Sequence, residues 1–181
     1  MKKMKQSALR PADVGVALGL VEHPRASYQH LNEMLGISSS TAFAAVCRLR
    51  DAGLVRQDEC VVIRQNLLEF LEHGVRYAFP ASPGVTSRGV PTSHSGPALA
   101  NDIVGEDAVV WPSAAGATVG KAVTPLLPKA EQLPSRSPEV YWLLTLVDAL
   151  RVGRLRERKL AIAKLRARMY GDSAVINNTL A

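Results

Sequence analysis

The placement of its prolines divides this chain into three regions. Nine of the eleven prolines lie between residues 80 and 138, together with many glycines and serines. Proline lacks a backbone N–H and clashes with the preceding helical turn, so no helix of ordinary length is expected there. The sequence therefore predicts a first domain over residues 1–77, a Pro/Gly/Ser-rich segment over 78–137, and a carboxy-terminal region over 138–181.

The first region carries three short runs of apolar side chains at helical spacing. The first run ends before Pro24, the second follows the capping residue Ser27 and ends at Gly36, and the third follows Ser38 and ends at Gly53. Serine before a helix and glycine after it are typical boundary residues. The apolar positions are Val14, Ala17, Leu18 and Val21; Tyr28, Leu31 and Leu35; and Ala42, Ala45, Val46 and Leu49.

The pattern changes after Gly53. Residues 54–57 and 60–63 are β-prone runs on either side of Asp58 and Glu59, which predicts a small hairpin. Leucines at helical spacing over residues 67–75 then predict a fourth helix. Three helices, a hairpin and a further helix are the element order of a winged helix-turn-helix.

Residues 36–55 read GISSSTAFAAVCRLRDAGLV. This stretch resembles the turn, recognition helix and wing entry of winged helix-turn-helix transcription regulators of the MarR kind, and the resemblance covers about residues 9–77. It implies an α+β, mainly α fold and a cytoplasmic, homodimeric, autoregulating repressor that binds double-stranded DNA with the helix over 38–52. The side chains that the resemblance places at the DNA are Ser38, Ser39, Ser40, Thr41, Phe43, Ala44, Cys47, Arg48 and Arg50 on that helix, with Arg56 and Arg64 beside the wing.

Some of these residues also fit a different use of the same fold. Phe43, Ala44 and Cys47 are apolar at positions that are usually polar or basic in the family, and the wing tip, Asp58-Glu59, would repel phosphate. The alternative is a protein-docking module with Phe43 in the interface.

The proline-rich segment contains two further β-prone runs. Residues 108–111 and 117–123 flank a Ser-Ala-Ala-Gly turn and predict a second hairpin. Disorder is the competing interpretation, but regularly placed apolar residues favour an ordered strap that packs on the rest of the chain.

The last region combines helical spacing with most of the excess positive charge. Residues 136–181 hold nine basic and four acidic side chains, which is +5 of the net charge of +6. Pro138 and Glu139 suit a first helical turn, and Gly153 predicts a break into two helices. Arg151, Arg154 and Arg158 are predicted to bind an acidic protein. In this alternative, the chain is an antitoxin-like partner of a neighbour-encoded enzyme. The two helices are the expected element for dimerisation or partner binding.

Several classes of function have no support in the sequence. No nucleophile, base and acid stand in a catalytic pattern, no metal-ligand spacing occurs, and no glycine-rich nucleotide loop is present. We therefore expect neither an enzyme nor a metal or cofactor site. Apolar runs are far shorter than the ~20 residues of a membrane helix, so no membrane association is expected. Cys47 and Cys60 fit free thiols in a reducing cytoplasm.

Overall fold

A computed structural model describes residues 8–103 and 107–171, and it has an α+β, mainly helical architecture with one small three-stranded sheet. No helix in these ranges is long and apolar enough to cross a bilayer. The helices are α1 (Pro11–Glu22), α2 (Tyr28–Leu35), α3 (Ser39–Asp51), α4 (Arg64–His73), α5 (Val75–Ala78), α6 (Leu133–Arg136), α7 (Pro138–Val152) and α8 (Leu155–Tyr170), and the strands are β1 (Thr86–Pro91), β2 (Val109–Pro112) and β3 (Thr118–Ala122).

Helix α1 ends before Pro24 as predicted, and α2 and α3 begin after the predicted capping residues Ser27 and Ser38. Ser27 Oγ accepts the backbone N–H of His30 at 3.1 Å at the start of α2, and Gly36 ends that helix in the left-handed region at φ 68°. Asn32 Nδ2 donates to the carbonyl of Ile37 at 2.6 Å, which fixes the turn into α3. The predicted apolar face of α3 is fully buried against α1 and α2. The inward faces of α1 and α3 are confirmed, and in α2 Leu31 and Leu35 are buried whereas Tyr28 is only half-buried.

The hairpin predicted over residues 54–63 is present only as a single antiparallel bridge between Val55 and Val62. Two backbone hydrogen bonds flank the bridge, from Arg56 to Val61 and from Ile63 to Leu54, both at 2.9 Å. Beyond the bridge, the Arg56 carbonyl accepts from Arg50 Nε at 3.2 Å, and the Cys60 carbonyl accepts the backbone N–H of Arg25 at 3.1 Å.

The predicted hairpin of residues 108–111 and 117–123 is wrong in its pairing. Both strands exist, but β2 and β3 run parallel, with Val109 opposite Lys121, and each pairs antiparallel with β1. The three strands close on one another. Glycine permits this curvature: a Cβ on Gly89 would lie 2.0 Å from the Trp111 carbonyl oxygen.

The middle segment packs on α7, which confirms an ordered strap for its described part. Leu99, Trp111, Leu126 and Leu127 are buried in the same apolar cluster as the amino-terminal helices and α7. Pro138 opens α7, every residue from Leu143 to Arg151 is buried, and the helix stops at Gly153 as predicted. The apolar face of α7 is therefore buried inside the monomer and is not available for contact with a second copy.

A buried carboxylate on α7 holds the strap to the helices. Asp148 is 1% exposed, and its Oδ2 accepts from Thr92 Oγ1 at 2.7 Å and from Trp111 Nε1 at 2.6 Å. Its Oδ1 accepts from Arg151 at 2.7 Å. Burial raises the pKa of Asp148, whereas the Arg151 charge and the three hydrogen bonds oppose that rise.

Replacing this carboxylate tests its structural role. Asp148→Asn keeps the side-chain shape but turns an amide N–H₂ toward donors, so we expect unfolding to become easier by about 3–5 kcal/mol. The measurement is urea denaturation followed by circular dichroism. The matched control is Asp102→Asn, which removes an exposed pair with Lys164 and should cost less than about 1 kcal/mol. Equal losses in the two variants would contradict the assignment.

Candidate nucleic-acid interface and basic groove

Four adjacent hydroxyl side chains form an exposed cluster at the amino end of α3. Ser38 Oγ caps the helix by accepting the Thr41 backbone N–H at 3.1 Å. The same atom lies 2.9 Å from Ser40 Oγ and 2.8 Å from Thr41 Oγ1. Ser39 is exposed and has no hydrogen-bond partner for its side chain among the described residues. These hydroxyls, together with the positive end of the helix dipole, can bind an anion such as a phosphate group.

An aromatic pair lies beside the hydroxyl cluster. Phe43 is 51% exposed, and its ring meets the edge of Tyr28 with centroids 5.4 Å apart at 89°. Ala44 and Cys47 are half-buried on the same helix. Burial raises the pKa of Tyr28, and the hydrogen bond from Cys60 Sγ raises it further. The outer surface of α3 is thus hydroxyl-rich in its first turn and apolar in its second.

Arg48 was predicted to read DNA, but its guanidinium is paired with a buried carboxylate inside the fold. Arg48 donates to both carboxylate oxygens of Asp13, at 2.8 and 2.6 Å. Asp13 is fully buried and also accepts the Arg10 backbone N–H at 2.8 Å. Hydrogen bonding to Asp13 raises the pKa of Arg48. The pair ties α3 to α1.

Two of the other predicted arginines also make structural contacts. Arg50 donates to the Arg56 carbonyl at 3.2 Å and lies 3.7 Å from Cys60 Sγ, so it supports the loop of the single bridge. Arg64 donates to the Met169 carbonyl at 2.7 Å and joins α4 to the end of α8. Arg56 is exposed, and its guanidinium has no partner among the described residues.

The acidic tip of this loop is partly neutralised. Glu59 pairs with Arg25 at 3.1 Å, while Asp58 is exposed beside it. The repulsion of phosphate expected from Asp58-Glu59 is therefore weaker than the sequence implies.

Arg151 does not lie on the predicted partner surface. It is buried, and its guanidinium donates to Asp148, to the Phe79 carbonyl at 2.9 Å and to the Thr124 carbonyl at 3.2 Å. Gly153 breaks the helix two residues later, so Arg151 stays in the interior while Arg154 and Arg158 lie beyond the break.

The basic side chains of α8 separate into two groups. Lys164, Arg166 and Arg168, in its carboxy-terminal half, form ion pairs with Asp102, Glu72 and Glu22 respectively. Arg156, Arg158 and Lys159, near its beginning, have no ion-pair partner within residues 8–103 and 107–171. Arg154 is exposed, and its backbone N–H donates to Glu157 at 2.8 Å.

Arg158 and Lys159 line a groove of about 430 Å³ between α8 and the α4–α5 corner, which we call the basic groove. Its apolar part comes from Leu150, Ile162 and the 74% exposed Tyr77. Arg76 lies over the Tyr77 ring at 5.3 Å and adds a third cation. The sequence pattern did not identify Arg76 or Tyr77 as surface residues of interest, because helical spacing over 67–75 described only the buried side of α4.

No group of histidine, cysteine, aspartate and glutamate side chains in the described parts of the chain has the arrangement of a metal site. Comparison of the chain with protein-family models, with curated proteins and with solved structures gives no significant match.

The structural role of the Arg48–Asp13 pair can be tested directly. We expect Arg48→Met to ease unfolding by about 3–5 kcal/mol, because it leaves the Asp13 carboxylate buried without its counter-ion. Urea denaturation measures the change. Arg25→Met removes the exposed pair with Glu59 and should cost at most about 1 kcal/mol. If Arg48→Met were as stable as that control, Arg48 would be available for DNA after all.

Proposed function

We propose that this protein is a DNA-binding transcription regulator with a winged helix-turn-helix-like first domain, and that it reads duplex DNA with the amino-terminal half of α3. The observation that carries the proposal is the exposed hydroxyl cluster at the start of a helix whose opposite face is buried. A rigid helix that offers hydroxyls and its dipole at one end suits the phosphates at the edge of a major groove.

The side chains suggest a division of work along α3. Ser38 caps the helix, and Ser40 and Thr41 each share a hydrogen bond with its Oγ. Ser39 would therefore meet phosphates or base edges with its whole hydroxyl, and Ser40 and Thr41 with the hydrogen-bonding capacity that Ser38 leaves them. Phe43 and Ala44 would contact thymine methyl groups. With Arg48 committed to Asp13, cationic contacts would fall to Arg56, which predicts fewer charge contacts than a basic recognition helix makes.

The regulator is proposed to act in the cytoplasm as an autoregulating repressor and as a homodimer. One helix of this size covers only a short half-site, and a second copy doubles the sequence that is read. Since the apolar face of α7 is buried inside the monomer, the exposed part of α8 is the surface of the carboxy-terminal helices that could contact a second copy.

Carboxylates introduced at the hydroxyl cluster should abolish binding. The probe is a fluorescent duplex covering the region upstream of the protein's own gene, titrated by anisotropy at several salt concentrations. We expect the affinity to fall with salt and to fall at least tenfold further in Ser39→Glu with Ser40→Glu, because two negative charges would face phosphate. Ser82→Glu, a serine exposed in a loop of the strap, is the control for added charge.

Two results would count against this interpretation. Affinity independent of salt would mean that phosphate contacts are absent. Equal binding by the double variant and the Ser82→Glu control would mean that the start of α3 does not face DNA.

A second function is favoured by one specific observation, the unpaired cations of the basic groove. We propose that the protein also makes an antitoxin-like association with a neighbour-encoded enzyme, and that this association uses Arg158 and Lys159 rather than Arg151. Glu72 also lines the groove, but its carboxylate is paired with Arg166. The three cations beside Tyr77, Leu150 and Ile162 suit an acidic protein segment with apolar side chains better than they suit a bare phosphate backbone.

Charge reversal in the groove tests that association. The purified protein is titrated against the purified product of the adjoining gene, and Arg158→Glu with Lys159→Glu should weaken binding at least tenfold. Arg88→Glu with Lys129→Glu makes the same change in net charge at exposed positions outside the groove. If both double variants bind alike, the groove is not the docking surface.

A further inference from the structure

A second cavity, of about 300 Å³, lies between the sheet and the joint of α7 and α8. Ser93, Val109 and Lys121 line it from the strand region, while Val152 and Glu157 line it from the two helices. Its size is at the low end for ligand cavities, which suits a small metabolite. The proposed DNA contacts and the basic groove use other residues, so this cavity is a separate site.

Ser93 marks this cavity as built for a ligand. Its side chain is fully buried, and its hydroxyl has no hydrogen-bond partner within residues 8–103 and 107–171. Its φ is 54°, in the left-handed region that favours glycine. A buried hydroxyl without a partner and a strained backbone are both unfavourable, and they coincide at one residue on the cavity wall.

The surrounding structure holds Ser93 in this conformation. The hydroxyl of the preceding residue, Thr92, donates to Asp148 at 2.7 Å, and its backbone N–H donates to the Val109 carbonyl at 2.8 Å. Ser95 Oγ accepts the Val109 N–H at 3.0 Å. Gly96 lies so close to α7 that a Cβ there would be 2.6 Å from Thr145. Ser93 is therefore fixed from both sides, with the cavity beside it.

The charges around the cavity indicate the kind of ligand. Lys121 contributes an ammonium group without a partner among the described residues. Glu157 contributes a carboxylate, oriented by the Arg154 backbone N–H at 2.8 Å. His94 Nε2 lies 3.0 Å from the Asp107 carbonyl oxygen, to which it donates a hydrogen bond. The polar lining is completed by the Asp107 and Arg154 side chains, and the apolar lining by Pro83, Ile103, Val109 and Val152.

From this arrangement we propose that the cavity binds a free α-amino acid. The ligand carboxylate meets Lys121, its ammonium group meets Glu157, and Ser93 Oγ hydrogen-bonds to it, with its side chain against the apolar wall. Such a ligand has both charges that the two sides of the cavity call for and is small enough to fit. Because it contacts both the sheet and the α7–α8 joint, its binding stabilises their packing.

The test is thermal unfolding of the full chain in the presence of each of the twenty amino acids at millimolar concentration. Amino acids that raise the Tm are then titrated by calorimetry. We expect at least one amino acid to raise the Tm saturably. Its N-acetyl and carboxamide derivatives, which each lack one charge, should bind at least tenfold more weakly, and inorganic phosphate should not bind. The proposal is overturned if no amino acid raises the Tm, if the blocked derivatives bind equally well, or if phosphate binds as tightly.

Three variants separate binding from folding. Lys121→Gln should weaken binding at least tenfold, whereas Lys129→Gln, an exposed lysine outside the cavity, should leave it unchanged. Ser93→Gly relieves the left-handed strain, so the free protein should unfold at the same or a higher temperature while its affinity drops at least fivefold. Wild-type affinity in Ser93→Gly or Lys121→Gln would overturn the assignment.

Discussion

The Asp148 carboxylate is the interaction on which the arrangement of the chain depends. It takes hydrogen bonds from Thr92 and Trp111 in the strap and from Arg151 on its own helix. Arg151 in turn donates to the carbonyls of Phe79 and Thr124, at the two ends of the sheet region. One buried acid thus organises a segment too rich in proline for regular helices. The small sheet, with few residues in each strand, relies on this anchor as well as on its own ladder.

The distribution of charge has a different meaning in the fold than in the sequence. Of the cations predicted to meet ligands, Arg48 and Arg151 neutralise buried acids, and Arg50 and Arg64 support backbone carbonyls. Among the predicted cations in the described residues, Arg56 near α3 and Arg158 in the basic groove have no ion-pair partner. The proposed DNA surface consequently depends on hydroxyls and a helix end, and the groove is the more strongly cationic surface.

Local sequence signals predicted the elements whose stability is local. Ser27, Gly36 and Ser38 cap helices whose apolar spacing places one face inward, and these boundaries are confirmed. The sheet could not be predicted in the same way, because β1 contains Ser87, Arg88 and Gly89 and has no apolar alternation. Its pairing is set by close contact at Gly89 and by tertiary contacts distant in sequence. The pairing of Arg48 could not be predicted for a related reason: its partner Asp13 lies 35 residues away, on a helix that no wheel of α3 includes.

The most direct measurement of the central claim is an amide NMR titration of the ¹⁵N-labelled full chain with a duplex from its own upstream region. If α3 reads DNA, amide signals of residues 38–44 and of Arg56 will shift or broaden as duplex is added, while those of 156–159 and of Tyr77 will not move. Changes confined to the basic groove, with residues 38–44 unaffected, would contradict the account.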